Sequence, residues 1–115
     1  MTNPMGFPEQ RQELRVRSEL PALISIGSQL TLQGQLKDLS LKSAFICIRS
    51  SVFWKINDEI GVAIQYIPKD NTTIIEGMAR ISRIVPGEGL AVYFTRMDDR
   101  SLGRLKDFLQ KVGGR

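Results

Sequence analysis

The sequence predicts an all-β domain with a C-terminal α-helix, arranged as a six-stranded antiparallel β-barrel. Six short segments between positions 20 and 95 are either continuously apolar or alternate polar and apolar residues, as strands do. Between residues 102 and 112 the apolar residues instead recur at helical spacing. A closed barrel is favoured because it removes edges that a small sheet would leave bare.

The first three predicted strands cover residues 20–26, 30–39 and 44–48. The first is apolar and ends at Gly27-Ser28, a turn-forming pair. The second alternates with a period of two, and the third is the apolar run AFICI. We expect Cys47, within that run, to be a buried core thiol.

The next three predicted strands cover residues 60–67, 73–85 and 90–95. Pro68 and the turn-forming residues 69–71 end the fourth strand. The sequence PGEG at 86–89 predicts a tight turn, which makes the fifth and sixth strands a hairpin.

The C-terminal segment predicts a helix over residues 100–111. Its apolar positions share one face and are Leu102, Leu105, Phe108, Leu109 and Val112. Asp98 and Asp99 precede the helix and Lys111 lies near its end, as the helix dipole prefers. We expect the helix to cover an open end or edge of the barrel.

A chain of 115 residues corresponds to one domain. We predict a flexible tail over residues 1–10, which contain two prolines and a glycine, and a single domain over residues 11–115. No apolar run approaches the roughly 18 residues of a membrane span. The first ten residues lack the pattern of a secretory signal, and a lone cysteine fits a reducing compartment, so we expect a cytoplasmic protein.

The residue inventory argues against an enzyme. The chain contains no histidine, which excludes Ser-His-Asp and Cys-His nucleophiles and any imidazole-based zinc site. A single cysteine cannot form a cysteine-rich metal site. We therefore expect no catalytic residue, no metal and no cofactor. The 16 basic and 12 acidic residues give a net charge of +4, a modest excess that favours anionic partners.

Two local patterns stand out along the chain. Arg11 and Arg15 are separated by three residues in the charged segment before the first strand. Asp38, Ser40 and Ser43 form the pattern DxSxxS between the second and third strands. Taken singly, the first is typical of a solvated segment, and the second of a turn in which side chains bond to the backbone.

Together the two patterns, with the strand plan and the closing helix, resemble the PilZ domain, a bacterial receptor module for cyclic di-GMP. That family carries RxxxR on an N-terminal loop and [D/N]xSxxG at the start of a barrel strand. Arg11 and Arg15 match the first motif, and Asp38 and Ser40 match the second, whereas Ser43 occupies the glycine position. The resemblance extends over about residues 11–111.

The resemblance implies a non-catalytic receptor that binds cyclic di-GMP and signals to a downstream protein as its arginine loop closes. Arginine suits this ligand because its planar fork fits guanine O6 and N7, pairs with phosphate and stacks on a purine. A carboxylate such as Asp38 can accept from guanine N–H groups or orient an arginine. Arg17 lies outside the motif, and we expect Arg80 and Arg83 to face solvent, although Arg80 could also line the ligand face.

Ser43 is the departure from the family pattern. A left-handed backbone at this position would strain a serine by about 1 kcal/mol, and a ligand pressed against it would meet the added Cβ. Two alternatives to a cyclic di-GMP receptor remain. One is a degenerate PilZ-like adaptor that binds proteins but no nucleotide. The other, a small basic barrel for single-stranded nucleic acid, is disfavoured because only 7% of the residues are aromatic.

Overall fold

The computed structural model describes residues 15–27, 30–49, 54–66 and 73–113. The described residues form seven strands and one helix: β1 (Arg15–Arg17), β2 (Pro21–Ile26), β3 (Leu30–Ser40), β4 (Ser43–Cys47), β5 (Glu59–Tyr66), β6 (Thr73–Val85), β7 (Gly89–Met97) and α1 (Asp99–Gly113). The predicted flexible tail, residues 1–10, and the motif residue Arg11 lie outside the described residues.

Strands β2 to β7 form a closed antiparallel barrel, which confirms the predicted fold. The strands follow one another in the order β3-β2-β5-β6-β7-β4, and pairing of β4 with β3 closes the circle. Alternate residues of each strand point inward and fill the barrel with branched aliphatic side chains. Fully buried examples include Ile24, Leu36, Ile46, Ile64 and Ile81. Each predicted strand begins and ends within two residues of its observed limits.

Strand β1 is an element that the sequence pattern did not predict. It pairs with the end of β3, on the same edge of β3 as β2. Between β1 and β2, the three residues 18–20 lie opposite two residues of β3, Leu36 and Lys37. Strand β1 therefore continues the line of β2 along β3, with an irregularity between them. Its alternation buries Val16 and exposes Arg15 and Arg17. One buried apolar residue gives too little periodicity to identify a strand.

Helix α1 begins at a side-chain cap and packs against the barrel through its middle turns. The Asp98 carboxylate accepts a hydrogen bond from the Ser101 amide at 2.8 Å, as an N-cap residue does. Leu105 and Phe108 are buried, as is Leu109, whereas Leu102 is half-buried. Val112 is 44% exposed, so the predicted apolar face is too long by one position.

The helix also supplies hydrogen-bond partners to β6 where the pairing with β7 has ended. The last β6–β7 pair joins Gly77 to Met97. Before this pair along β6, the Glu76 amide donates to the Ser101 hydroxyl at 3.1 Å. Arg104 donates to the Ile74 carbonyl at 2.8 Å. Helix α1 therefore covers a barrel edge, as the sequence predicted, and satisfies its backbone.

Candidate functional site

The motif residues that the structure describes lie together where β1, β3 and β4 meet. The Arg15 guanidinium donates from Nη1 to the Asp38 carboxylate at 2.9 Å and from Nη2 to the Ser43 hydroxyl at 3.0 Å. Strand register explains the meeting, because β1 pairs Arg15 with Ser40 and Arg17 with Asp38. Antiparallel pairing thus brings together side chains that are 23 and 28 positions apart in the sequence.

Ser40 lies beneath this surface and holds the turn between β3 and β4. Its side chain is fully buried. Its hydroxyl accepts hydrogen bonds from the amides of Lys42 and Ser43 at 3.3 and 3.1 Å. It also lies 3.1 Å from the Ser43 hydroxyl. Ser40 therefore fixes the two-residue connection and the position of Ser43, which in turn contacts Arg15.

The backbone at Ser43 does not have the left-handed conformation that would require glycine. Ser43 is the first residue of β4, and the non-glycine residue with a positive φ among the described residues is Asn57, at 75°. A serine is therefore accommodated without backbone strain. Its hydroxyl has two side-chain neighbours, Arg15 and Ser40, that a glycine would lack.

A cleft of about 450 Å³ opens beside this cluster on the outer face of the barrel. Its lining is Arg15, Asp38, Ser43, Ala44, Phe45, Ser82, Arg83, Ala91, Val92 and Tyr93. Cross-strand pairs form its base: Ser43 lies opposite Tyr93, and Phe45 lies opposite Ala91. Ala91 in turn lies opposite Arg83 on β6. The cleft therefore runs across β3, β4, β7 and β6, with the motif cluster on one side.

Tyr93, beside Ser43 in the base of the cleft, and Arg83, at the far side on β6, are lining residues that sequence reasoning did not select as site residues. Arg83 is exposed, as expected, but it lines the cleft. Tyr93 is 39% exposed. Arg80, which was considered for the ligand face, instead donates to the Asn57 carbonyl at 2.7 Å and does not line the cleft. Since strand register decides which of these side chains meet, no local sequence signal could have found them.

The charges of the cleft favour an anion that also offers hydrogen-bonding groups. Two guanidinium groups, Arg15 and Arg83, line it together with one carboxylate, Asp38. The Arg15–Asp38 ion pair is partly solvated, with side-chain exposures of 49% and 26%. Such a pair contributes little to stability, at most about 1 kcal/mol. Because half of the Arg15 side chain is exposed, its guanidinium remains accessible to a further partner.

A larger groove of about 910 Å³ lies next to the cleft and shares none of the motif residues described above. Arg17 lines this groove, together with Lys37, Cys47 and Arg49. The prediction of Cys47 as a core residue is wrong, because Cys47 is only half-buried. Ala44 and Ile46 are the inward positions of β4, so Cys47 has no place in the barrel interior.

Two findings bear on other kinds of function. Within the described ranges, no three histidine, cysteine, aspartate or glutamate residues come together in a way that could hold a metal ion. Helix α1 is the helix that the described residues contain, and it is too short and too polar to cross a membrane.

Comparison with known proteins identifies relatives of this barrel. The sequence model of the PilZ domain matches residues 9–111. No curated protein sequence matches the chain significantly. Among solved structures, the chain is similar to the PilZ domain of YcgR from Escherichia coli with c-di-GMP, with a TM-score of 0.71 and 12% identity over 90% of this chain and 91% of that one.

Two further structures share the fold. The Bacillus subtilis inhibitor of motility MotI/DgrA has a TM-score of 0.76 and 13% identity, and 89% of this chain is aligned. The alignment covers 50% of MotI/DgrA, so this chain spans about half the length of that protein. The PilZ domain of CeSA from a cellulose-synthesizing bacterium has a TM-score of 0.61 and 16% identity over 84% of this chain and 95% of that one.

Proposed function

Because the chain belongs to the PilZ domain family, we propose that it is a non-catalytic cytoplasmic receptor for cyclic di-GMP. PilZ domains are regulatory binding domains rather than enzymes. The observation that carries the proposal is the exposed Arg15 guanidinium, held by Asp38 and Ser43 at the side of an open cleft. The YcgR domain, which has the same fold, is described with c-di-GMP.

The chemistry of this cluster suits a guanine-containing phosphodiester. Arginine carries five N–H donors, so Arg15 keeps donors for guanine O6 and N7 or for a phosphate while it contacts Asp38 and Ser43. An ionised carboxylate has about four lone-pair sites, so Asp38 can accept from guanine N–H groups in addition to Arg15. Arg11, which lies outside the described residues, is proposed as the second arginine of the site.

Ser40 and Ser43 have positioning roles in this proposal. Ser40 is fully buried and acts through the turn that it stabilises. Ser43 orients the Arg15 guanidinium and lines the cleft. The serine at the motif's glycine position therefore contributes a hydrogen bond to the arginine and leaves the cleft open.

The signal in this proposal is the closing of the segment that carries Arg11 over the ligand, beside Arg15 in β1, which changes the surface offered to a downstream protein. The alternative, an adaptor that binds proteins without nucleotide, is favoured by one observation: Arg15 already has two partners within the chain. MotI/DgrA, which shares the fold, is described as an inhibitor of motility.

Isothermal titration tests the proposal with cyclic di-GMP, cyclic di-AMP, GTP and a short oligonucleotide. We expect the protein to prefer cyclic di-GMP. Loss of a charge-assisted hydrogen bond costs about 1.5–3 kcal/mol, so Arg15→Ala and Arg11→Ala should each weaken binding about tenfold or more.

The matched control is Arg17→Ala. Arg17 lies on the same strand and carries the same charge, but it lines the neighbouring groove. Its replacement should change the affinity for cyclic di-GMP by no more than about threefold, an effect of about 0.5 kcal/mol. No binding of cyclic di-GMP by the unmodified protein would favour the adaptor. Equal losses from Arg15→Ala and Arg17→Ala would indicate a general charge effect and contradict the proposed site.

A further inference from the structure

We propose that the ligand cleft has a second wall of ligand contacts beyond the motif cluster, formed by Arg83 at the far side on β6 and by Tyr93 between Arg83 and Ser43. In this arrangement Tyr93 stacks on a base, and Arg83 pairs with a phosphate on the side of the ligand that Arg15 does not contact. The inference rests on the proposed function, because it takes a cyclic dinucleotide with two phosphates and two purines as the ligand. It assigns ligand contacts to two residues outside both sequence motifs.

A β-bulge is what directs Arg83 outward into the cleft. Ile81 is fully buried and Ser82 is exposed, so regular alternation would point residue 83 into the barrel. The register of β6 against β7 shifts between Ile81 and Arg83, where Ser82 is the additional residue. The Ser82 hydroxyl donates to the Ala91 carbonyl at 3.1 Å. Arg83 consequently lies opposite Ala91, exposed and on the lining of the cleft.

Among the described residues, nothing competes with an anion for the Arg83 guanidinium. Its side chain makes no hydrogen bond or ion pair with any of them. Arg80, on the same strand, differs because its guanidinium is bound to the Asn57 carbonyl at 2.7 Å. The two arginines carry the same charge, but only Arg83 lines the cleft. The bulge thus gives the cleft a second guanidinium, across β4 and β7 from Arg15.

Tyr93 provides an aromatic surface beside this guanidinium. It pairs with Ser43 on one side and with Arg80 on the other, so it lies in the row of residues that crosses the cleft. With 39% exposure it is one of the large exposed side chains of the described residues. Its neighbour Ala91 is small and leaves space for a ring above the strand. A base stacked on an aromatic side chain gains about 1–3 kcal/mol, which corresponds to about tenfold or more in affinity.

The distribution of charge matches a ligand with two phosphates better than one with a single phosphate. Arg15 shares its charge with Asp38, whereas Arg83 faces the cleft without a carboxylate partner among the described residues. A mononucleotide can engage one wall, but a cyclic dinucleotide can engage both. We therefore expect the second wall to contribute to the preference for cyclic di-GMP over GMP.

Titration of matched variants with cyclic di-GMP and GMP tests the second wall. Arg83→Gln should weaken cyclic di-GMP about tenfold and flatten the salt dependence of its affinity, whereas Arg80→Gln should have less than a threefold effect. Tyr93→Leu should weaken it about tenfold, and Tyr93→Phe, which keeps the ring, should bind nearly as the unmodified protein does. The three positions changed in these four variants are exposed, so thermal unfolding should confirm that each variant is folded.

The outcomes separate this inference from the proposed function. If the unmodified protein binds cyclic di-GMP and Arg15→Ala weakens it, but Arg83→Gln and Tyr93→Leu bind normally, the second wall is wrong and the receptor proposal stands. Equal losses from Arg83→Gln and Arg80→Gln would also contradict the second wall. If the unmodified protein binds neither nucleotide, both proposals fail.

Discussion

Arginine and serine side chains make hydrogen bonds in two regions of this barrel, and they serve different purposes there. At the edge under helix α1, Ser101 and Arg104 bond to backbone groups of β6. At the cleft, Arg15 bonds to the side chains of Asp38 and Ser43. Ser101 is 3% exposed, whereas the Arg15 side chain is 49% exposed.

The difference lies in what each arrangement leaves over for another molecule. Under the helix, the polar side chains satisfy backbone groups that β7 no longer reaches, so removing one leaves a partly buried backbone donor or acceptor unpaired. At the cleft, Arg15 bonds to other side chains and is half exposed, so water can replace a contact that Arg15 loses. The first arrangement therefore stabilises the fold, whereas the second can be altered at little cost in stability.

The largest effect should come from the apolar part of the helix contact. Leu105 is fully buried in the barrel core cluster. Leu105→Ala should lower the free energy of unfolding by about 2–5 kcal/mol through lost burial and the cavity left behind. Urea denaturation followed by circular dichroism measures this. The control is Val112→Ala, since Val112 is 44% exposed and should cost about 0.5 kcal/mol or less. Similar losses for both variants would mean that the helix is not anchored at Leu105.

A smaller effect should separate the two serine–arginine arrangements directly. Ser101→Ala leaves the Glu76 amide, which faces the buried Ser101 side chain, without its acceptor and should cost about 1–3 kcal/mol of stability. Ser43→Ala, which removes the same hydroxyl at the cleft, should cost less than about 1 kcal/mol because Arg15 is exposed. Denaturation of the two variants under one condition makes the comparison. A larger loss from Ser43→Ala would reverse the assignment of structural and functional roles.

The smallest effect concerns the serine at the glycine position. Ser43→Gly removes the hydroxyl that accepts from Arg15 at 3.0 Å, so it should weaken cyclic di-GMP a few-fold, an effect of about 1 kcal/mol. Ser43→Ala should weaken binding by the same factor if the hydroxyl is the cause. Titration of both variants beside the unmodified protein decides this. Tighter binding by Ser43→Gly would mean that the side chain obstructs the ligand.

The barrel and its helix were predictable from the sequence because their signals are local. Alternation or a short apolar run identifies each of the strands β2 to β7, and the change to helical spacing after residue 97 identifies α1. Turn residues mark most boundaries; Gly87, with φ of 80°, has the conformation that a tight turn asks of glycine. The pairing of Arg15 with Asp38 was not visible in the pattern, although the family resemblance put both in one site.

The remaining features depend on register, which the sequence does not specify locally. Arg83 faces the cleft only because one additional residue interrupts the alternation of β6. Cys47 is only half-buried, on the outer face of β4, although it lies within an apolar run. Strand β1 exists because β3 extends beyond the end of β2 and offers a partner for three residues. In each case a neighbouring strand decides the outcome.

The position of β1 links the cleft to the contact between helix α1 and the barrel. This three-residue strand presents Arg15 to the cleft, and Val16 faces the core cluster that also contains Leu105. Helix α1 lies against β1 and β6. A ligand that binds Arg15 only when β1 is paired raises the free energy needed to open β1. If docking of α1 onto β1 strengthens ligand binding by some factor, linkage requires the ligand to favour helix docking by that same factor. Amide hydrogen exchange at Val16 and along α1 should therefore slow together when the cleft is occupied.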